Sequence, residues 1–240
     1  MIRTRLLAAL LLTGCATGAP VGGQRAAAAV RTSPFGPPAL QRSTPTLRDG
    51  APLKDLPPGS RERAVELAQG QVGKTQVRFA GKRFPDDCTG LVKGIFEQLG
   101  VDLLAEARPG DNGVLAIYRF AGAHGRVYEG GRPVAGDLVF FRETYDLNRD
   151  GRVNDGLTHV GLVESVQEDS TVWVIHRVNR GVVRYRMNLA HPLAKRDPGT
   201  GAQINDALRL PGRGPEILTA QLFAGYATLL PIERRVASAR

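Results

Sequence analysis

The sequence predicts an α+β domain in which N-terminal helices pack on a sheet of consecutive antiparallel strands. Three observations predict it. Between residues 60 and 123 apolar side chains recur at helical spacing. From residue 137 the pattern changes to short blocks of alternating or continuous apolar residues. The connections between those blocks are short, which suits antiparallel neighbours and a layer of helices made earlier in the chain.

The first residues stand apart from this domain. Arg3 and Arg5 precede a short apolar stretch, Leu6 to Leu12, followed by small residues, the pattern of an export signal too short to span a bilayer. The tetrapeptide Leu12-Thr13-Gly14-Cys15 also resembles the bacterial lipobox. That resemblance implies a signal peptide over residues 1–14, cleavage before Cys15 and lipidation of its sulfur. It implies membrane attachment through acyl chains, with the domain facing the periplasm; an ordinary signal cleaved further on is the alternative. Ala16 after Cys15 points to the outer membrane by the sorting habit of such lipoproteins. Residues 15–59 are dominated by Pro, Gly, Ala and Ser without apolar periodicity and read as a tether. The folded domain is expected over residues 60–240.

Each element has its own signal. Ser60 is placed to cap a helix with Val65, Leu67 and Ala68 inward. A second helix begins at Cys88 behind Asp86 or Asp87 as cap, buries Leu91, Val92, Ile95, Phe96 and Leu99, and ends at Gly100. A third spans about residues 113–123, with Val114, Leu115, Ile117, Tyr118 and Phe120 clustered. Strands are predicted at residues 137–141, 157–166, 171–178 and 181–187. Residues 196–215 read as a loop, and residues 216–230 as a segment packing back on the domain as a short helix.

The chain has two cysteines, so acylation of Cys15 leaves Cys88 as an unpaired thiol in an exported protein. No His, Cys or carboxylate set with zinc spacing accompanies it. At the first turn of a helix, unpaired N–H groups and the helix dipole favour thiolate, while Asp86 and Asp87 oppose it. An imidazole nearby is therefore needed. A register pairing Val160 with Ile175 and Leu162 with Trp173 gathers the bulky residues on one face. The other face then pairs Val163 with Val172, Gly161 with Val174 and His159 with His176, about 5 Å apart at Cβ. Each histidine alone reads as a half-exposed strand residue. Together with the thiol they form a set of nucleophile, base and orienter. His124 and His191 lie in unpatterned contexts and carry no functional reading.

DCTGLV, GDLVFF, THVGLV and VIH, in that order, resemble the NlpC-type cell-wall cysteine peptidases over about residues 60–190. The resemblance implies a papain-like fold, Cys88 as nucleophile, His159 as general base and His176 as the third residue. It implies hydrolysis of peptidoglycan stem peptides, commonly at the D-glutamyl–diamino acid bond. The family's Tyr before the cysteine is replaced by Val77-Arg78-Phe79-Ala80-Gly81, and the hairpin between the histidines is longer than usual. The nearest alternative is a CHAP-type amidase, expected to carry Glu or Asn in the third position. Acyl transfer by the same thiol, or a wall-binding protein without activity, are the others. The backbone N–H of Cys88 is the candidate oxyanion donor.

No cofactor is required by this chemistry. Asp146, Asn148, Asp150, Gly151 and Asn154 follow the ligand rhythm of a calcium loop, with the Arg152 carbonyl, but Leu157 occupies the twelfth position. Asp155 could substitute for the absent acid, or the stretch is a polar Asx- and Gly-rich turn. The formal charge of +9 suits anionic surroundings such as an acidic wall polymer. Scattered basic residues, without a basic helix or aromatic RNA-binding strand, argue against nucleic acid. A monomer is expected.

Overall fold

A computed structural model describes Leu53, residues 56–209 and residues 216–232. The export signal, Cys15 and nearly all of the tether lie outside the described residues. In chain order the elements are α1 (Ser60–Gln69), β1 (Arg78–Phe79), β2 (Lys82–Arg83), α2 (Cys88–Glu97), α3 (Gly113–His124), β3 (Arg126–Tyr128) and β4 (Leu138–Arg142). There follow β5 (Leu157–Val166), β6 (Val172–Val178), β7 (Gly181–Met187), β8 (Ala207–Arg209), β9 (Ile217–Leu218), a 3-10 turn (Thr219–Leu222) and β10 (Phe223–Thr228). Among them no helix is long and apolar enough to cross a membrane.

The main sheet has six strands in the order β3-β10-β4-β5-β6-β7, every neighbouring pair antiparallel. The consecutive run β4 to β7 follows the apolar pattern. β10 does not: the segment expected to return as a helix is an inner strand between β3 and β4. Its small residues (Ala224, Gly225, Ala227) hide an alternation that only its long-range partners reveal.

Both faces of this sheet are buried. Leu138, Phe140, Val160, Leu162, Ile175 and Val182 share one core with residues of all three helices. Val139, Phe141, Val163, Val174, Met187 and Tyr226 share another, covered by Ala220 and Leu222 of the 3-10 turn. Each large apolar side chain buried in this way contributes about 1.5–3 kcal/mol.

The helix starts differ in detail from expectation. Gly59, with φ of 80°, stands at the cap position of α1. Ser60 does not cap; its hydroxyl donates to the Pro57 carbonyl at 2.6 Å. The inward face of α1 is Arg61, Ala64 and Ala68, while Val65 and Leu67 are only half-buried at the rim. Arg61 is tolerated there because its guanidinium meets the fully buried Asp137 at 2.8 Å and the carbonyl of Ala135 at 2.7 Å. Asp137 also accepts from Thr228 Oγ1, Tyr128 Oη and Val134 N. One carboxylate thereby joins α1, β3, the start of β4 and the end of β10.

For α2 the cap is Asp87, whose Oδ1 accepts from Gly90 N at 2.7 Å. Asp86 instead accepts from Val77 N and Arg83. Leu91, Val92, Ile95 and Phe96 are fully buried, as their spacing predicts. Gly90 is required by proximity: a Cβ there would lie 2.0 Å from the Pro85 carbonyl oxygen.

Candidate active site

Cys88 is the first residue of α2, free and buried, with 8% of its surface exposed. Backbone N–H groups of Val160, Thr89 and Cys88 itself act on its sulfur. The helix start thus lies against β5 at the residue beside His159. Burial nevertheless dominates, and the thiol is pushed up to about 12 with Asp87 adding repulsion. In the balance between the helix terminus, which favours thiolate, and its opponents, burial thus weighs toward the neutral thiol. The local dipole acts in the expected direction, but desolvation outweighs it.

His159 and His176 meet, though not in the predicted register. The observed pairs are Leu162 with Ile175, Val163 with Val174, Ser165 with Trp173 and Val166 with Val172, with a bulge between Val163 and Ser165. Pairing is thus shifted by three residues on the turn side of the bulge and by two on the histidine side, so His159 does not stand directly opposite His176. An even shift keeps each side chain on its face, and the two imidazoles approach along a diagonal. His159 Nε2 lies 2.7 Å from His176 Nδ1 with ring planes at 78°.

Gly161 makes this approach feasible. A Cβ at Gly161 would lie 3.1 Å from His176 Cβ and 2.6 Å from Val174 Cγ1. Both rings are buried: His159 is 6% exposed and His176 not at all. Burial pulls His159 down to about 4, partly countered by the Asp87 carboxylate. It holds His176 well below the usual imidazole range, with His159 and Arg180 acting in the same direction. Burial accordingly favours the neutral form of the thiol and of both imidazoles.

Hydrogen-bond logic fixes what this pair can do. His159 Nε2 faces His176, so Nδ1 is the nitrogen left for a proton from a thiol. A lone pair at Nδ1 puts the ring proton on Nε2, which then donates to His176 Nδ1. His176 must in turn carry its own proton on Nε2.

Two neighbours were not singled out by sequence. Thr144 N and Oγ1 both bond to Thr158 Oγ1 at 2.9 Å, clamping the loop after β4 beside His159. Next to that clamp, Tyr145 is 48% exposed; its phenol is raised by partial burial, then by Cys88 and Asp87. An exposed aromatic residue in a polar loop has no periodic signal, so only the fold locates it.

The loop read as a calcium site closes on its own backbone. Asp146 accepts from Asp150 N and Gly151 N, Asn148 from Asp150 N, Asp150 from Arg152 N, and Asp155 from Leu147 N. These are the bonds of an Asx- and Gly-rich turn. Asn148, Asp150, Asn154 and Asp155 line a shallow cleft. Among the described residues, no three His, Cys, Asp or Glu side chains gather as metal ligands. His124 bonds to Glu106 at 2.9 Å at the end of α3, remote in sequence from the thiol.

The CHAP domain family model matches residues 79–177, the stretch that contains Cys88, His159 and His176. No curated protein is a significant match. Two solved structures resemble the chain: "The crystal structure of Ly7917" (15% identity, TM-score 0.43) and "The crystal structure of Ly7917 with the hydrolyzing product of MDP" (17% identity, TM-score 0.44). Each alignment covers 70% of this chain and 62% of the other, so the chain spans about three-fifths of those proteins.

Proposed function

We propose that the protein is a papain-like thiol hydrolase of amide bonds in peptidoglycan. The observation that carries this reading is the buried 2.7 Å contact between His159 Nε2 and His176 Nδ1, on the strand whose next residue touches the Cys88 thiol. Such a pair has little structural value in a dry core, where two apolar side chains would cost less. The match of residues 79–177 to the CHAP domain supports the same class of cysteine- and histidine-dependent chemistry.

In this mechanism Cys88 Sγ attacks the amide carbonyl as its proton passes to His159 Nδ1. His176 Nδ1 accepts the Nε2–H bond that strengthens as His159 becomes cationic. The Cys88 N–H, at the start of α2, supports the oxyanion. His159 then returns the proton to the leaving amine, and water, deprotonated by the same imidazole, releases the acyl group from sulfur. Because burial favours the neutral thiol, proton transfer and attack are combined in one step of this mechanism.

The preferred bond is the D-glutamyl–diamino acid bond of the stem peptide. The second reading is a CHAP-type amidase, favoured by the family match and opposed by a histidine in the third position. Anchoring by a lipidated Cys15 at the outer membrane, with residues 15–59 as tether, completes the proposal. The charge of +9 suits an acidic polymer.

Digestion of purified peptidoglycan by the full chain, by Cys88→Ala and in the presence of EDTA, with products read by mass spectrometry, tests this. Stem-peptide fragments with a free diamino acid amine, lost in Cys88→Ala and retained in EDTA, are expected. Release of whole stems from the glycan would establish the amidase instead. Absence of any product from folded protein would end the hydrolase reading.

A further inference from the structure

His176 Nε2 is buried without a hydrogen-bond partner. Its Nδ1 is taken by His159, so the second nitrogen of a fully buried ring makes no hydrogen bond. The ring as a whole packs against an aromatic neighbour. The Tyr185 ring lies 4.5 Å from the His176 ring, with the planes at 70°. Val183 stands opposite His176 and Tyr185 opposite Val174, so Tyr185 reaches His176 along a diagonal on the same sheet face. Tyr185 is itself held: Arg180 Nη2 donates to its hydroxyl at 2.9 Å, and the guanidinium lies 5.5 Å from its ring centre.

The two tautomers of His176 differ sharply in these surroundings. With the proton on Nε2, a buried N–H that makes no conventional hydrogen bond can be satisfied by the electron-rich face of the neighbouring Tyr185 ring, a favourable contact. With the proton on Nδ1, a lone pair meets that face, and His176 donates to His159 Nε2. His159 would then carry its own proton on Nδ1 and offer Cys88 no base. The distant ring therefore selects which nitrogen faces the thiol. The Arg180 charge also disfavours a second proton on His176, which keeps the transferred proton on His159.

We propose that Tyr185, steadied by Arg180, is a positioning residue of the thiol site: its ring receives the Nε2–H of His176 and so holds His176 as the acceptor for His159. This rests on the reading of His159 as the base, and the experiment separates the two. Nitrogen-15 NMR of the histidine rings in the full chain reports the His176 tautomer, alongside kcat and KM on peptidoglycan fragments, for wild type, Tyr185→Leu and Tyr185→Phe. The wild type is expected to show Nε2–H at His176. Tyr185→Leu is expected to mix the tautomers and lower kcat about tenfold with KM within twofold, and Tyr185→Phe to recover most of that loss. Should Tyr185→Leu not fold, Arg180→Gln, at an exposed turn, is expected to shift tautomer and kcat the same way to a smaller extent. An Nδ1–H tautomer in wild type, or unchanged tautomer and kcat in Tyr185→Leu, overturns the proposal. Wild-type protein with Nε2–H at His176 and no hydrolysis sinks the proposed function alone.

Discussion

His159 Nε2 touches His176 Nδ1 at 2.7 Å although the two residues are not opposite each other in the ladder. The register running from Leu162 and Ile175 sets Gly161 beside His176, and the imidazoles close the diagonal over it. The contact therefore depends on a residue with no side chain between two large ones. Two buried imidazoles are held together on one sheet face, with no salt bridge to either among the described residues.

Gly161→Ala should accordingly separate the rings. The added methyl would sit 2.6 Å from Val174 Cγ1 and 3.1 Å from His176 Cβ, so β6 must move or His176 must turn. Overpacking of this kind costs about 1–3 kcal/mol, which a domain of this size should survive. The expected outcome is a cooperative urea transition at lower midpoint and a hydrolysis rate at least roughly tenfold down, since small displacements of catalytic groups are costly. Full activity in Gly161→Ala would show that the pair tolerates another geometry.

Stability should peak between about pH 6.5 and 9. His159 is held near 4 by burial and His176 is lowered as well, so between about 4 and 6.5 the unfolded chain binds protons that the folded chain does not. Stability therefore rises with pH across that window. At about 1.4 kcal/mol per decade, His159 alone contributes on the order of 3 kcal/mol that is lost on acidification. Cys88 acts at the other end: its folded value is about 12 against 9.0, so the unfolded chain loses its proton first and stability falls above about pH 9. Urea midpoints from pH 4 to 10 read both limbs. Loss of the acid limb in a His159→Gln, His176→Gln double variant would tie it to these rings, and its persistence would assign it elsewhere.

What the sequence disclosed and what it withheld have separate physical origins. The α2 helix was legible because its cap, apolar spacing and cysteine are local signals. The shared face of the histidines was legible because strand parity survives any even slip. Their true pairing was not, because several apolar registers satisfy the same alternation: the observed one is offset by three at the turn, and the bulge between Val163 and Ser165 brings the offset back to two beside the histidines. β10 was hidden because small residues take their strand identity from β3 and β4. The titration of Cys88 is hidden for a related reason: a helix terminus and its acidic neighbours are visible in sequence, whereas burial of the thiol is a tertiary property.

Arg61 and Asp137 form the buried ion pair that joins the first helix to the end of the chain. An arginine in a first turn reads as a surface residue, so only the fold gives it this role. Asp137→Ala leaves the guanidinium buried without a counter-charge, which costs about 3–5 kcal/mol. Thr228 Oγ1 and Tyr128 Oη lose their acceptor as well. The expected result is a large fall in urea midpoint, partly offset in an Arg61→Met, Asp137→Leu double variant, where no lone charge remains. A change below about 1 kcal/mol in Asp137→Ala would mean that water replaces the carboxylate.

The third position offers the sharpest test of how the thiol site works. His176 is asked only to accept a hydrogen bond from His159 Nε2, a task that does not require an imidazole. An Asn at this position offers a carbonyl oxygen to the same donor, whereas Ala leaves the Nε2–H buried and unpaired. Loss of an orienting partner can cost up to roughly four orders of magnitude in kcat. His176→Ala is therefore expected to lose on the order of a hundredfold or more, and His176→Asn to retain clearly more activity, with KM little changed in both. Equal rates for Ala and Asn would show that acceptance at Nδ1 is not what His176 supplies, and that its contribution is packing against Tyr185.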